Sequence, residues 1–139
     1  MRLLPLAALL VAFPAFAQGI DVAHAWSRPA MVGRVGVAYL TITDNGAPDQ
    51  LIGASSPIAA RVELHQSMVE HGVATMRPVP ALAVAPGKPA VLAPGGYHFM
   101  LVDLKQPLMA GQSFKLILDF AKAGAVTTIV TVASPGAHP

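Results

Sequence analysis

Four residues, His65, Met76, His98 and Met100, hold the chemistry most worth following in a 139-residue chain with no cysteine and 12% charged residues. Two imidazoles and two thioethers form the donor mixture that a soft monovalent ion such as Cu(I) accepts, provided that folding brings them together. With both imidazoles neutral, the site keeps only the ion's own single positive charge. Hard cations are poorly served, because the acidic residues are dispersed and show no EF-hand spacing. Zinc takes Cys, His or carboxylate rather than thioether. Protonation of the imidazoles competes with any metal, so uptake should weaken as pH falls through the free-imidazole range, about 6.5.

His98 and Met100 are the best-placed pair. In a strand, side chains at i and i+2 share a face, so these two stand together while Tyr97, Phe99 and Leu101 turn towards a core. Pro94-Gly95-Gly96 supplies a tight turn just before them and sets the pair near one end of a sheet, where an ion can reach it. In Val62-Glu63-Leu64-His65 the same alternation puts His65 opposite the apolar Val62 and Leu64. A turn near Glu70-His71-Gly72 folds residues 60–68 back on residues 73–77 as a hairpin, across which His65 and Met76 can meet. Met68 points away from His65 in a regular strand and is expected in the core, unless a bulge reverses it. Met31 and Met109 read as packing residues, His71 as a solvated loop histidine, and Trp26 and Tyr97 as large core or rim groups. Taken singly, each candidate ligand also has a plain structural use, as a strand histidine or a gap-filling methionine.

The elements that must position these groups are all strands. From Ile20 onward short apolar or alternating runs are cut by Gly, Pro, Asn or Asp, and no segment keeps a 3.6-residue period for three turns. Strands are predicted at 22–27, 35–43, 51–55, 60–68, 73–77, 89–92, 97–101, 114–120 and 126–132. Turn signals lie at Asp44-Asn45-Gly46, Ala85-Pro86-Gly87, Ala93-Pro94-Gly95-Gly96 and Ala123-Gly124. The fold class is all-β, an antiparallel sandwich or barrel.

Residues 1–17 run from basic Met1-Arg2 through an apolar stretch to Ala15-Phe16-Ala17, in the order of a secretory signal peptide. That stretch is shorter than the ~20 residues needed to span a bilayer, so no stable membrane insertion is expected. Residues 18–132 then form one domain, a monomer, and residues 133–139 a flexible C-terminal tail. Lys and Arg number nine against seven acids, and they are scattered, which gives no basic stripe for nucleic acid. The lack of cysteine removes disulfides, thiol catalysis and a blue-copper thiolate together. No Gly-x-Ser-x-Gly, Walker, dinucleotide or His-Glu-x-x-His motif occurs, so the chain reads as a non-enzyme.

The joint spacing, His, ten residues, Met, twenty-one residues, His, one residue, Met, resembles the signature of the periplasmic copper chaperone family PCu(A)C. Val62-Glu63-Leu64-His65, Gly72-Val73, Met76-Arg77-Pro78-Val79, Pro94 to Met100 and Leu104-Lys105-Gln106-Pro107-Leu108 also look like family segments. The resemblance covers nearly all of the chain after residue 17. It implies a cupredoxin-like Greek-key β-sandwich or barrel, a periplasmic location, and His65, Met76, His98 and Met100 as ligands of one Cu(I) per monomer. It implies as partner a copper-accepting membrane-bound cytochrome oxidase subunit or its assembly factor. Gln66 departs from the pattern, since relatives often carry an additional methionine there. The ligands alone equally permit copper buffering without a dedicated partner, and an adhesion or assembly module without metal is the remaining alternative.

Overall fold

The computed structural model describes residues 19–136, so the signal peptide expected at residues 1–17, Gln18 and the last three residues of the expected tail lie outside the described residues. Ten strands follow one another: β1 (Ile20–Ser27), β2 (Gly36–Asp44), β3 (Asp49–Ser55), β4 (Ala59–Glu70), β5 (Val73–Pro78), β6 (Leu82–Val84), β7 (Ala90–Leu92), β8 (Tyr97–Leu104), β9 (Ser113–Phe120) and β10 (Gly124–Val132). No helix occurs among the described residues. Eight of the nine predicted strands match to within two residues at each end, and β8 runs three residues further than expected. The three-residue β6, set among Pro78, Pro80 and Pro86, was not anticipated.

Strands β4, β8, β2, β1, β10, β9 and β3 pair in that order, and β3 returns to β4 through Ala54 opposite Val62, which closes a seven-stranded barrel. β5 pairs with β4, β6 with β3 and β7 with β2. All pairs are antiparallel except β1 with β10, where Trp26 faces Thr131 and Ser27 faces Val132 in parallel. That exception to the expected antiparallel sheet is feasible because the two strands are the first and last, so no short hairpin has to connect them.

Closure follows from period-2 burial. Ala38, Leu40 and Ile42 of β2, Phe99 and Leu101 of β8, and Leu116 and Leu118 of β9 are fully buried in one apolar core. Their neighbours along each strand turn outward. The β4–β5 hairpin reaches beyond this core, so Met68 is only half-buried and is no part of it, against expectation. Met31 (69% exposed) and Met109 (58%) are likewise not packing residues. They lie on the β1–β2 and β8–β9 connections, whose backbones bridge at Ala30 and Leu108 and leave both side chains outside the barrel.

Asp49 ties the start of β3 to the β9–β10 turn. Its carboxylate accepts N–H bonds from Gln50 (2.8 Å), Lys122 (2.9 Å) and Ala123 (2.8 Å). Burial pushes this carboxyl upward, but the three backbone donors and the Lys122 charge outweigh it and hold it below the ordinary carboxylate range. A group lowered by folding stabilises the fold above its unfolded value, about 3.9, and that contribution is lost as pH falls through the folded value. Asp49→Ala is expected to cost about 1–3 kcal/mol in urea denaturation near neutral pH. The gap to wild type should shrink on acidification below about pH 4; equal stability at neutral pH would contradict this role.

Candidate metal centre

β4 is paired on both sides where the site lies, and the registers are unbroken. Against β8, Glu63 faces Met100, Leu64 faces Phe99 and His65 faces His98. Against β5, His65 faces Pro78 and Ser67 faces Met76. Residues directly opposite share a face, so Glu63, His65, Met76, His98 and Met100 all stand on the outer surface, while Phe99 and Leu101 fill the core. The four sequence-predicted ligands are therefore brought together on three neighbouring strands. The rings of His65 and His98 have centroids 6.0 Å apart. Met100 lies diagonally from His65 on β8, and Met76 diagonally from it on β5, separations that a methionine side chain reaches. Met76 thus meets His65 across the hairpin as expected, although its direct partner is Ser67.

The hydrogen bonds select one nitrogen of each ring. His65 Nε2 lies 3.0 Å from Glu63 Oε2, and His98 Nδ1 lies 3.2 Å from the Gly96 carbonyl oxygen. Arg61 Nε donates to the other Glu63 oxygen at 2.7 Å. The Arg61 contact first, and the His65 contact second, hold the Glu63 carboxyl below its ordinary range despite partial burial. An ionised carboxylate and a carbonyl only accept, so the neutral rings must donate from His65 Nε2 and His98 Nδ1. Their lone pairs are left on His65 Nδ1 and His98 Nε2. These two atoms are buried and have no hydrogen-bond partner. Buried polar atoms are normally paired, and two neighbouring ring nitrogens without partners fit metal ligation, with Glu63 fixing the ring as an outer carboxylate commonly does.

Among the described residues, no three of His, Cys, Asp and Glu form a group able to hold a metal ion. The methionine sulfurs would complete a donor set here that suits soft ions. Exposure is uneven: His98 is 3% exposed and Met76 61%. His98 is buried because the Pro94–Gly95 turn and the outer side of β2 border it. Met68 pairs with Thr75 in a regular stretch without a bulge and points away from His65, as the alternation predicted. His71 is exposed in the two-residue turn with Gly72, both at positive φ, the geometry of a type I′ hairpin. Sequence reasoning missed Glu63 as part of the site. The signal was present, since Glu63 is two residues from His65 and shares its face.

The barrel thus carries two imidazoles and two thioethers close together on its outer surface, a donor set of the kind soft metal ions accept. Residues 20–132 match the family described as "Putative lipoprotein LpqE-like", and the chain belongs to that family. A curated relative, "Putative lipoprotein Lxx21020" of Leifsonia xyli subsp. xyli, is 32% identical over 118 residues, covering 84% of this chain and 70% of the relative. Among solved structures, the copper-bound PCuAC domain from PmoF2 superposes with a TM-score of 0.70 at 28% identity, covering 84% of this chain and 94% of that domain. The Cu(I)-bound solution structure of DR1885 from Deinococcus radiodurans gives a TM-score of 0.64 at 29% identity, covering 86% and 83%. The fold is thus the cupredoxin-like barrel expected from the resemblance. The 139 residues contain no cysteine, so none of them can take the thioether-linked lipid for which lipoproteins are named.

The two histidines should be trapped as opposite tautomers. Nitrogen-15 NMR of the metal-free protein at about pH 8, where free imidazole is neutral, is expected to find His65 as the Nε2–H form and His98 as the Nδ1–H form. Glu63→Ala should mix the forms at His65 and leave His98 unchanged. The same tautomer at both rings would contradict the hydrogen-bond pattern.

Proposed function

We propose that this protein is an exported Cu(I)-binding metallochaperone that takes one ion per monomer from a donor and passes it on by ligand exchange. The observation that carries this reading is the pair of buried, unpartnered ring nitrogens, His65 Nδ1 and His98 Nε2, on directly opposed strand residues whose rings lie 6.0 Å apart, flanked on opposite diagonals by Met76 and Met100. Copper in the PmoF2 domain and in DR1885, which share this fold at 28% and 29% identity, supports the choice of ion. The lipoprotein descriptions of the family and of the Leifsonia relative support export to the cell envelope. Removal of residues 1–17 as a signal peptide would release the domain into the periplasm.

The geometry suits transfer better than permanent storage. Three ligands sit on β4 and β8, in the barrel wall, and two of them are histidines oriented by hydrogen bonds. Met76 sits on β5, an outer strand held by β4 alone, and is the exposed ligand. An incoming donor therefore displaces Met76 first, while the imidazoles keep the ion. Copper stays monovalent throughout, and each exchange breaks one copper–ligand bond as another forms. The Glu63 carboxylate offsets the ion's charge through His65. The acceptor proposed from the PCu(A)C resemblance is a membrane-bound cytochrome oxidase subunit or its assembly factor.

Anaerobic competition against a Cu(I) chelator tests the site. Wild type should bind one Cu(I) per chain, and His65→Ala, Met76→Ala, His98→Ala and Met100→Ala should each lower affinity by about tenfold or more, roughly 1.4 kcal/mol per tenfold. Met76→Ala is expected to be the mildest, because its sulfur is the least enclosed. Absence of stoichiometric uptake, or affinity unchanged in all four variants, would overturn the proposal.

A further inference from the structure

The outer face continues past the four ligands. Across β1 and β2, Trp26 faces Tyr39, and their rings stack with centroids 4.7 Å apart. Tyr39 is itself buried, and Trp26 packs beside it. The Arg28 guanidinium lies over the Tyr39 ring, 5.7 Å from its centroid, within cation–π range. Between that cation and the site opens a cleft of about 320 Å³ lined by Arg28, Tyr39, Met76, Pro94, Gly95 and His98. No acidic residue lines it, and among the described residues the ion pairs present are those of Glu63 with Arg61 and His65, which leave Arg28 without an acidic partner. A cation without an acidic partner thus borders a cleft that ends on one enclosed candidate ligand and on the one exposed candidate ligand.

We propose that this cleft is the approach channel for the donor that removes copper, and that Arg28 selects a thiolate for it. The proposal rests on the copper reading of the site. A volume of this size admits a side chain or a small molecule rather than a folded surface. An uncompensated guanidinium attracts an anion and favours thiolate over thiol in its vicinity. The arriving thiolate sulfur forms a bond to Cu(I) as the Met76 sulfur–copper bond breaks. Met76 leaves as a neutral thioether, no electron moves, and no proton is released because the thiolate arrives deprotonated. A neutral chelator uses the same opening without help from the cation.

The test follows loss of Cu(I) from the loaded full chain under anaerobic stopped flow. The copper acceptors are a two-cysteine peptide with otherwise uncharged residues, glutathione, and the uncharged chelator neocuproine. Loading is measured first, and absence of one-to-one uptake by wild type would overturn the copper reading and the channel with it. With normal uptake, Arg28→Glu at low salt is expected to slow removal by thiolate about tenfold and to leave removal by neocuproine unchanged. Arg28→Lys should keep most of the wild-type rate, and Lys122→Glu, with the same change of net charge in the β9–β10 turn, should behave as wild type. Dependence on Arg28 in either thiolate arm supports the channel, and the arm with the larger dependence distinguishes a protein cysteine from a free thiol. No dependence in either thiolate arm, an equal loss towards neocuproine, or the same slowing in Lys122→Glu would overturn it.

Discussion

A slip of one residue between β4 and its neighbours would turn His65 into the barrel and bring Leu64 out to the surface, because side chains alternate with a period of two. The site therefore depends on the register of β4, which is paired with β8 on one side and successively with β3 and β5 on the other. The apolar side of the alternation enforces that register. Phe99 and Leu101 are fully buried, and Val62 and Leu64 of β4 pack against the core, so a slip of β4 would turn Val62 and Leu64 out and put polar side chains against Phe99 and Leu101. Each fully buried side chain of this kind is worth about 1.5–3 kcal/mol. The core thus holds the ligand face in place without contributing an atom to it.

On that face, each histidine has a different anchor. A carboxylate two residues back holds His65, and a backbone carbonyl two residues back holds His98. Both use the i, i−2 relation that an extended chain provides. The consequence is a pair of lone pairs, on Nδ1 of one ring and Nε2 of the other, buried and without a protein donor. Preorganisation of this kind lowers the cost of binding, since the rings need not be reoriented when the ion arrives. Met76 supplies the opposite property, because its strand lies outside the barrel wall.

Much of this was legible in the sequence, and the reasons are physical. The period-2 patterns of β8 and β9 and the hairpin at His71-Gly72 are local signals, so the strands and the grouping of His98 with Met100 followed directly. The pairing of β4 with β8 is non-local and came only through the resemblance in spacing. No local pattern announces that the first and last strands pair in parallel, or that Leu82–Val84 forms a short strand among prolines. Met31 and Met109 were read as packing residues from their chemistry, but exposure depends on where two connections meet, which spacing does not encode. The burial of His98 comes from the Pro94–Gly95 turn and the flank of β2, again a tertiary effect. Glu63 was in plain view on the His65 face, and only the hydrogen bond to Nε2 revealed its part in orienting the ring.

The central claim is that two imidazole nitrogens and two thioether sulfurs of one face hold a single Cu(I). X-ray absorption on the one-to-one Cu(I) protein, kept anaerobic, addresses it most directly. The account predicts a shell of nitrogen and sulfur neighbours, with sulfur reduced when Met76 or Met100 is replaced by alanine. A shell of nitrogen and oxygen alone would contradict it.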